Sequence, residues 1–180
     1  MNRSMAMCAT VAWALVACSG PEDVDNDESV EGTSQALQAG TVLTFKNHKS
    51  NRCIGVDGAS TANGALIKQF SCDNAPNQKW RVQRNGAQHT FINFKSGLCM
   101  GVDHASVSPG ANIAQFNCGN NAPNQSWVLA SDAFAPWNID NVKSGLCIGV
   151  DGASTGNGAQ LKQFGCDLAA ANQEWFLIEQ

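Results

Sequence analysis

One unit of sequence occurs three times in this chain of 180 residues. The copies open with NHKSNRCIGVD at Asn47, NFKSGLCMGVD at Asn93 and NVKSGLCIGVD at Asn141, at spacings of 46 and 48 residues. Each copy continues through an Asn-Gly or Pro-Gly turn signal into KQFSC, AQFNC or KQFGC, and ends in NQKW, NQSW or NQEW. Self-similarity at a fixed period indicates a fold that repeats one small unit, because a single unit cannot bury its apolar face alone.

The cysteines follow the same repeat. Six of them lie beyond Cys18, two in each copy, and the members of every pair are nineteen positions apart. Six cysteines allow fifteen connectivities, but one pair per copy makes local pairing the simplest choice. We therefore predict the disulfides Cys53–Cys72, Cys99–Cys118 and Cys147–Cys166, each stabilising by about 3 kcal/mol in the chain-entropy model.

Metal binding is the competing interpretation of these cysteines. The chain has no CxxC pair, and its three histidines, His48, His89 and His104, are not at ligand spacing. We expect the histidines at the surface or in loops, and we predict neither a metal nor a cofactor.

Short apolar runs within each copy have strand character. In the first copy they are Val42 to Lys46, Arg52 to Val56, Ala65 to Phe70 and Lys79 to Arg84, separated by Gly, Asn, Ser and Pro. No run with helical periodicity reaches helical length, so we predict an all-β fold with four strands per copy and twelve in total.

The QxW element at the end of each copy has a structural interpretation. Trp80 and Val82 fall on one face of a strand, and a large aromatic side chain there is best placed in the core. The Gln two residues earlier can satisfy backbone groups that the preceding turn leaves unpaired. The predicted structural set is Gln78, Trp80, Gln125, Trp127, Gln173 and Trp175.

Three in-phase QxW copies with matched cysteine pairs resemble the ricin B-type β-trefoil lectins, which include the family 13 carbohydrate-binding modules. The resemblance covers nearly everything from about Thr41 to Gln180. It implies a twelve-stranded β-trefoil with pseudo-threefold symmetry, with repeats at about 41–86, 87–133 and 134–180. It also implies up to three sites for glycans or polysaccharides, one per repeat, and generally no catalysis.

A sugar offers an apolar C–H face and a rim of hydroxyls, so its site requires an exposed aromatic ring and fixed polar groups. In the third strand of each repeat the Phe faces outward if the aliphatic face is inward, and it matches the stacking position of the resembled family. The Asn just before QxW matches the hydroxyl-binding position. The candidate residues are Phe70, Phe116 and Phe164 for stacking, with Asn77, Asn124 and Asn172 for hydroxyls. Packing at the rim is the alternative for the Phe.

The chain departs from the family pattern two residues after the first Cys of each repeat. Galactose-binding members have an Asp there, where this chain has Gly55, Gly101 and Gly149. An Asp follows two positions later, and it either clamps sugar hydroxyls in a shifted pocket or caps the following turn. These further carbohydrate-binding candidates are Asp57, Asp103 and Asp151. Lys68, Ala114 and Lys162 stand where a Gln is frequent in the family, so a galactose preference is not carried over.

The N-terminal region has a different character. One positive charge at Arg3 precedes the apolar run from Met5 to Ala17, which is too short to span a bilayer as a helix and is typical of a signal peptide. The tetrapeptide ending at Cys18 resembles the bacterial lipobox. We therefore predict a signal peptide over residues 1–17, lipidation of Cys18, and an exported protein held at the outer membrane or cell surface. Ordinary secretion or a periplasmic location is the alternative.

The segment from Ser19 to about Gly40 carries six acidic residues and no Lys or Arg. Such a segment cannot bury enough apolar surface to order itself, so residues 18–40 are predicted to be the lipidated Cys followed by an acidic tether. Its spacing lacks the Gly and Glu positions of an EF-hand calcium loop. The tether accounts for the net charge of −4, and the near-neutral remainder, 41–180, does not favour nucleic-acid binding.

The sequence thus favours a monomeric, non-catalytic carbohydrate-binding domain that meets the membrane only through a lipid at Cys18. A trefoil that binds proteins or inhibits hydrolases without binding sugar is the alternative. An enzyme is disfavoured, because there is no nucleophile elbow or metal motif and the acidic residues recur as threefold copies.

Overall fold

The computed structural model describes residues 37–131 and 136–180. The predicted signal peptide, the lipidation site at Cys18 and nearly all of the acidic tether lie outside these residues. The described residues contain twelve β-strands, and their only helical segments are short 3-10 turns. No helix within them is both long and apolar enough to cross a membrane.

The twelve strands divide evenly among the three repeats. The first repeat contains β1 (Val42–Asn47), β2 (Cys53–Val56), β3 (Ile67–Phe70) and β4 (Trp80–Asn85). The second contains β5 (Gln88–Asn93), β6 (Cys99–Val102), β7 (Ile113–Phe116) and β8 (Trp127–Ala130). The third contains β9 (Asn138–Asn141), β10 (Cys147–Val150), β11 (Leu161–Phe164) and β12 (Trp175–Glu179).

Six of these strands form a closed barrel. Antiparallel pairs run from β12 through β1, β4, β5 and β8 to β9. A bridge between Trp137 and Trp175 joins the start of β9 to β12 and completes the ring. Because every barrel strand then has two neighbours, no unpaired edge remains.

The other six strands form three hairpins, β2–β3, β6–β7 and β10–β11, which meet across one end of the barrel. Bridges between Leu66 and Ala114, Lys68 and Gln160, and Asn112 and Lys162 connect them in a ring. Barrel and hairpin cap together are the predicted β-trefoil, and the prediction of twelve strands in three repeats is confirmed.

The core lies inside the barrel and beneath the hairpins. Trp80, Trp127 and Trp175 are fully buried there. Each indole N–H donates a hydrogen bond to a backbone carbonyl of the second strand of its own repeat, at Ile54, Met100 and Ile148, over 3.1 to 3.2 Å. The large ring therefore fills the core without leaving its polar atom unpaired.

The three predicted disulfides are confirmed as Cys53–Cys72, Cys99–Cys118 and Cys147–Cys166. Each bridge joins the start of the second strand to the segment that follows the third. It therefore fixes the hairpin end from which the candidate Phe projects.

The expectation that all three histidines lie at the surface or in loops is wrong for His89. This residue is in β5 and is buried, with its ring stacked parallel to that of Phe91. Burial alternates along the strand QHTFIN, and His89 falls on the same inward face as Phe91 and Asn93. The residue types themselves do not alternate between apolar and polar, so this face is not visible in the sequence.

Candidate functional site

The candidate site of each repeat begins with a phenylalanine at the end of the third strand. In β3, Ile67 and Gln69 are buried while Lys68 and Phe70 are partly exposed, so Phe70 lies on the outer face of the hairpin. The same pattern places Phe164 at the end of β11 and Phe116 at the end of β7. A ring in this position can offer one face to a ligand.

The glycine opposite this ring is required by close packing. A Cβ atom at Gly55 would lie 3.2 Å from the Phe70 ring and 3.0 Å from Cγ of Gln78. Gly149 has the same neighbours, with a Cβ only 3.0 Å from both Phe164 and Gln173. The Phe ring therefore packs against the backbone of the glycine, and a side chain there would require the ring or the Gln side chain to shift.

An asparagine lies beside the ring and the glycine, with Nδ2 of Asn77 3.4 Å from the position of a Cβ atom at Gly55. Asn77 sits in the 3-10 turn Pro76–Gln78 and donates a hydrogen bond from Nδ2 to the carbonyl of Val56, over 3.2 Å. Asn124 and Asn172 make the equivalent bonds over 3.4 and 3.3 Å. Within the described residues, no hydrogen bond reaches the Oδ1 atom of Asn77, so this oxygen is fixed in place with its acceptor capacity unused.

Two further residues hold this turn. Gln78 donates from Nε2 to the carbonyl of Ser71 over 2.9 Å and accepts from the backbone of Asp73 over 3.3 Å. Asn93, the first letter of the next repeat, is buried and donates from Nδ2 to the carbonyl of Asn77 over 3.0 Å. The sequence analysis missed Asn93, although the Asn that opens every copy was a visible signal.

The Phe and the Asn border a cavity in the first two repeats. Around Phe70 and Asn77 the cavity measures about 310 Å³ and is also lined by the turn residues Gly58 and Ala59. The equivalent cavity around Phe116 and Asn124 measures about 210 Å³. The first volume is within the range of small-molecule sites, about 300–1,000 Å³, and the second is slightly below it.

The Asp candidates are placed differently. Neither Asp57 nor Asp103 is among the residues that line these cavities. The carboxylate of Asp57 pairs with the ammonium of Lys68 over 2.6 Å, and that of Asp151 with Lys162 over 2.8 Å. In the first and third repeats the Asp carboxylate is therefore engaged by a lysine, and in the first it lies outside the residues that line the cavity beside Phe70. Its contact with a sugar stays a prediction.

The second repeat has no such ion pair, because Ala114 stands at the lysine position. There Asp103 accepts a hydrogen bond from the backbone N–H of His104 over 3.0 Å. The second site therefore differs in charge and hydrogen bonding from the other two, although its Phe and Asn are placed alike.

A lysine from the following repeat holds a loop that borders each of the first two sites. Lys95 donates from Nζ to the carbonyl of Ala59 over 2.7 Å, and Lys143 donates to Ala105 over the same distance. Ala59 and Ala105 both line the cavities, so these ammonium groups fix the loop beside the ring. The sequence analysis did not assign a role to these lysines.

One group of potential metal ligands occurs in the described residues, formed by Asp140, Cys147 and Cys166 within 4.8 Å of one another. The two sulfur atoms are joined in a disulfide, so neither is a thiolate that could bind a metal. The group therefore offers one carboxylate, which is not a metal site by itself.

Comparison with known proteins gave one family and many structures. The model of a family described as the ricin-type beta-trefoil lectin domain matches residues 19–127 and 41–175. The designed threefold symmetric protein ThreeFoil has a TM-score of 0.74 and 28% identity, over 77% of this chain and 99% of its own. No curated protein matches the chain by sequence.

Two natural proteins illustrate the range of the structural matches. An exo-beta-1,3-galactanase from Clostridium thermocellum has a TM-score of 0.73 and 26% identity, over 78% of this chain and 30% of the galactanase. A Macrolepiota procera ricin B-like lectin, solved in complex with lactose, has a TM-score of 0.70 and 16% identity, over 80% of this chain and 99% of the lectin. A match at 16% identity is evidence that the two proteins share a fold, and not that they share a ligand.

Proposed function

Since the chain belongs to the ricin-type beta-trefoil lectin domain family, we propose that it binds carbohydrate without catalysis, through up to three sites built around Phe70, Phe116 and Phe164. The observation that carries this proposal is the threefold recurrence of one arrangement: a partly exposed ring packed on a glycine, beside an asparagine whose amide nitrogen is held and whose oxygen is unused. This arrangement of Phe, Gly and Asn is retained in the second repeat, although Ala114 and His104 replace the Lys and Gly of the other two repeats. It therefore does not depend on those neighbouring residues.

The chemistry of a sugar matches this arrangement. The ring of Phe70 presents an apolar plane for a C–H face, and the Oδ1 atom of Asn77 accepts a hydrogen bond from a hydroxyl. Because Asn77 is already fixed by Val56 and Asn93, little side-chain entropy is lost when the hydroxyl binds.

The Asp57–Lys68 ion pair lies outside the residues that line the cavity beside Phe70, and the third repeat has the equivalent pair Asp151–Lys162. A ligand that reaches beyond the cavity would meet the pair. One carboxylate oxygen of Asp57 faces Lys68, so the pair offers an acceptor on its other oxygen and donors on the ammonium. Vicinal hydroxyls carry both donors and acceptors and would meet both partners. The second site lacks the lysine, and we expect it to bind the same sugar more weakly.

We further propose that the domain is exported and mounted on the acidic tether 18–40 by a lipid on Cys18. The lipobox-like tetrapeptide directly after the apolar run supports this proposal. Labelling of cells with radioactive palmitate tests it: the wild-type protein becomes labelled and the Cys18→Ser variant does not. Labelling of both, or of neither, contradicts lipidation at this residue.

A glycan array and polysaccharide pull-downs with the chain from Ser19 to Gln180 test carbohydrate binding. We expect retention of a defined set of glycans, and loss of that binding in the triple variant F70A/F116A/F164A. The matched control is Phe94→Ala, since Phe94 is also an exposed ring but lies outside the sites. Binding that survives the triple variant removes the stacking role, and a chain that retains no glycan contradicts the proposal.

A further inference from the structure

A second concave surface lies on the wall of the barrel, beside the first disulfide. This surface, here called the barrel groove, measures about 760 Å³ and runs between β1, the end of β12 and the segment that follows β3. Its lining includes Thr44, Lys46, Ser71, Asp73, Ile178 and Gln180. It is larger than the cavity beside Phe70, which measures about 310 Å³.

The barrel groove adjoins the candidate site of the first repeat. Ser71 and Asp73 line both the groove and the cavity beside Phe70. Only the short segment around these two residues separates the two hollows. A chain-like ligand seated on Phe70 can therefore pass over this segment into the groove.

Thr44 provides a second, independent observation at the groove. Its side chain lines the groove and is 6% exposed, yet its Oγ1 atom has no hydrogen-bond partner. Buried hydroxyls in folded proteins are normally paired, and an unpaired one calls for an explanation. The Oγ1 atom is itself buried, and a change of the Thr44 side-chain rotamer would turn it toward the groove, where a ligand hydroxyl would supply the partner.

The groove is a product of the repeat, since an equivalent hollow of about 270 Å³ occurs in the second repeat. Thr90 stands three positions before Asn93, as Thr44 stands before Asn47, and Cys118 takes the place of Cys72. This second hollow shares no lining residue with the cavity beside Phe116. Of these two repeats, only the first has a groove that shares lining residues with its candidate sugar site.

We propose that the barrel groove is an extension subsite, which binds the neighbouring units of a glycan chain that has one unit stacked on Phe70. The inference rests on the proposed function and narrows its ligand to oligosaccharides and polysaccharides. Ile178, which is 41% exposed, offers an apolar contact for a second sugar face, and Thr44 offers a hydroxyl. Free monosaccharides occupy the Phe70 cavity alone.

The test measures how affinity depends on chain length at a single site. The background variant F116A/F164A leaves the Phe70 site intact and disables the other two. Its dissociation constants are measured by calorimetry with oligosaccharides of one to six units from a β-1,3-galactan, a β-1,4-xylan and an α-1,4-glucan. We expect at least one series to bind ten or more times more tightly at four units than at one.

The groove variant T44V/I178A in that background should lose this dependence on length and bind four units no more than about threefold more tightly than one. Thr44→Val removes an unpaired buried hydroxyl with little change in volume, so the variant should remain folded, as its thermal unfolding will show. Thr90→Val, at the equivalent position of the second repeat, is the matched control and should leave the dependence unchanged.

Each result has one meaning. Affinity that is equal at one and four units, or a length dependence that T44V/I178A retains, overturns the extension subsite while the proposed function stands. If no oligosaccharide of any length binds in any of the three series, and the glycan array is also empty, the proposed function and the subsite both fail.

Discussion

At the scale of single residues, Gly55 affects both the packing of the hairpin and the position of the candidate sugar-stacking ring of Phe70. A Cβ atom there would approach Cγ of Gln78 to 3.0 Å and the Phe70 ring to 3.2 Å. We expect Gly55→Ala to displace the ring and to lower the free energy of unfolding by about 1–3 kcal/mol, as for other overpacked sites. Denaturant unfolding measures the change. Gly165→Ala is the control, because a Cβ atom there meets nothing within 4 Å, and equal losses in the two variants would contradict the packing argument.

His89 gives a second prediction at this scale, concerning pH. Burial lowers the pKa of His89 below 6.5, the backbone of Trp127 opposes this shift, and the charge of Arg84 adds to it. The unfolded chain therefore binds a proton more readily than the folded one. We expect the free energy of unfolding to fall as the pH drops through about 6.5 and below, and to be insensitive to this residue above that range.

The variant His89→Gln should remove this part of the pH dependence, as measured by urea unfolding at a series of pH values between 5 and 8. His104→Gln is the control, because the side chain of His104 is 92% exposed whereas that of His89 is buried. If the His89→Gln profile parallels that of the wild type, another group causes the acid sensitivity.

At the scale of elements, the three hairpins are interlocked by buried glutamines. Gln115 of β7 accepts a hydrogen bond from Ser96 over 2.7 Å and donates to the carbonyls of Ser60 and Ala62, each over 3.0 Å, in the preceding repeat. Gln69 and Gln163 make the same bonds around the ring. Each hairpin thus holds the loop of its neighbour.

Replacement of Gln115 by Ala should lower the free energy of unfolding by about 2–4 kcal/mol, because it opens a cavity at a fully buried side chain and removes its hydrogen bonds to Ser60, Ala62 and Ser96. Thermal and denaturant unfolding measure the loss. The exposed Gln83→Ala in β4 is the matched control, with an expected change within about 0.5 kcal/mol. A small effect at Gln115 would mean that water replaces its bonds.

The sequence predicted the elements well and the contacts between repeats poorly. The period, the cysteine pairs and the alternation around Trp80 are local signals, and each led to a correct strand, bridge or buried face. The role of Gln115 and the pairing of Asp57 with Lys68 depend on which loops and strands meet, which no local pattern encodes. His89 was misplaced because its strand was not among those identified by composition.

At the scale of the whole molecule, the three candidate sites lie on one barrel whose strands close on themselves. Sites held at fixed separations convert the second and third binding events into intramolecular ones. A polymer with repeated units can then be bound far more tightly than its fragments, although each site alone is weak. The gain requires that the polymer reach two sites at once.

This expectation can be tested by removing sites one at a time. We predict that, in Phe116→Ala and in F116A/F164A, each remaining site binds an oligosaccharide too short to bridge two sites with unchanged affinity. The number of molecules bound per chain falls as sites are removed. Over the same series, affinity for an immobilised polysaccharide should fall by about 100-fold or more in total, because each loss removes an avidity step. Calorimetry with the oligosaccharide and interferometry on the polysaccharide surface measure the two quantities. A decline in polysaccharide affinity that merely follows the number of sites would mean that the sites act independently, and the rigid arrangement of the three repeats would then confer no gain on binding.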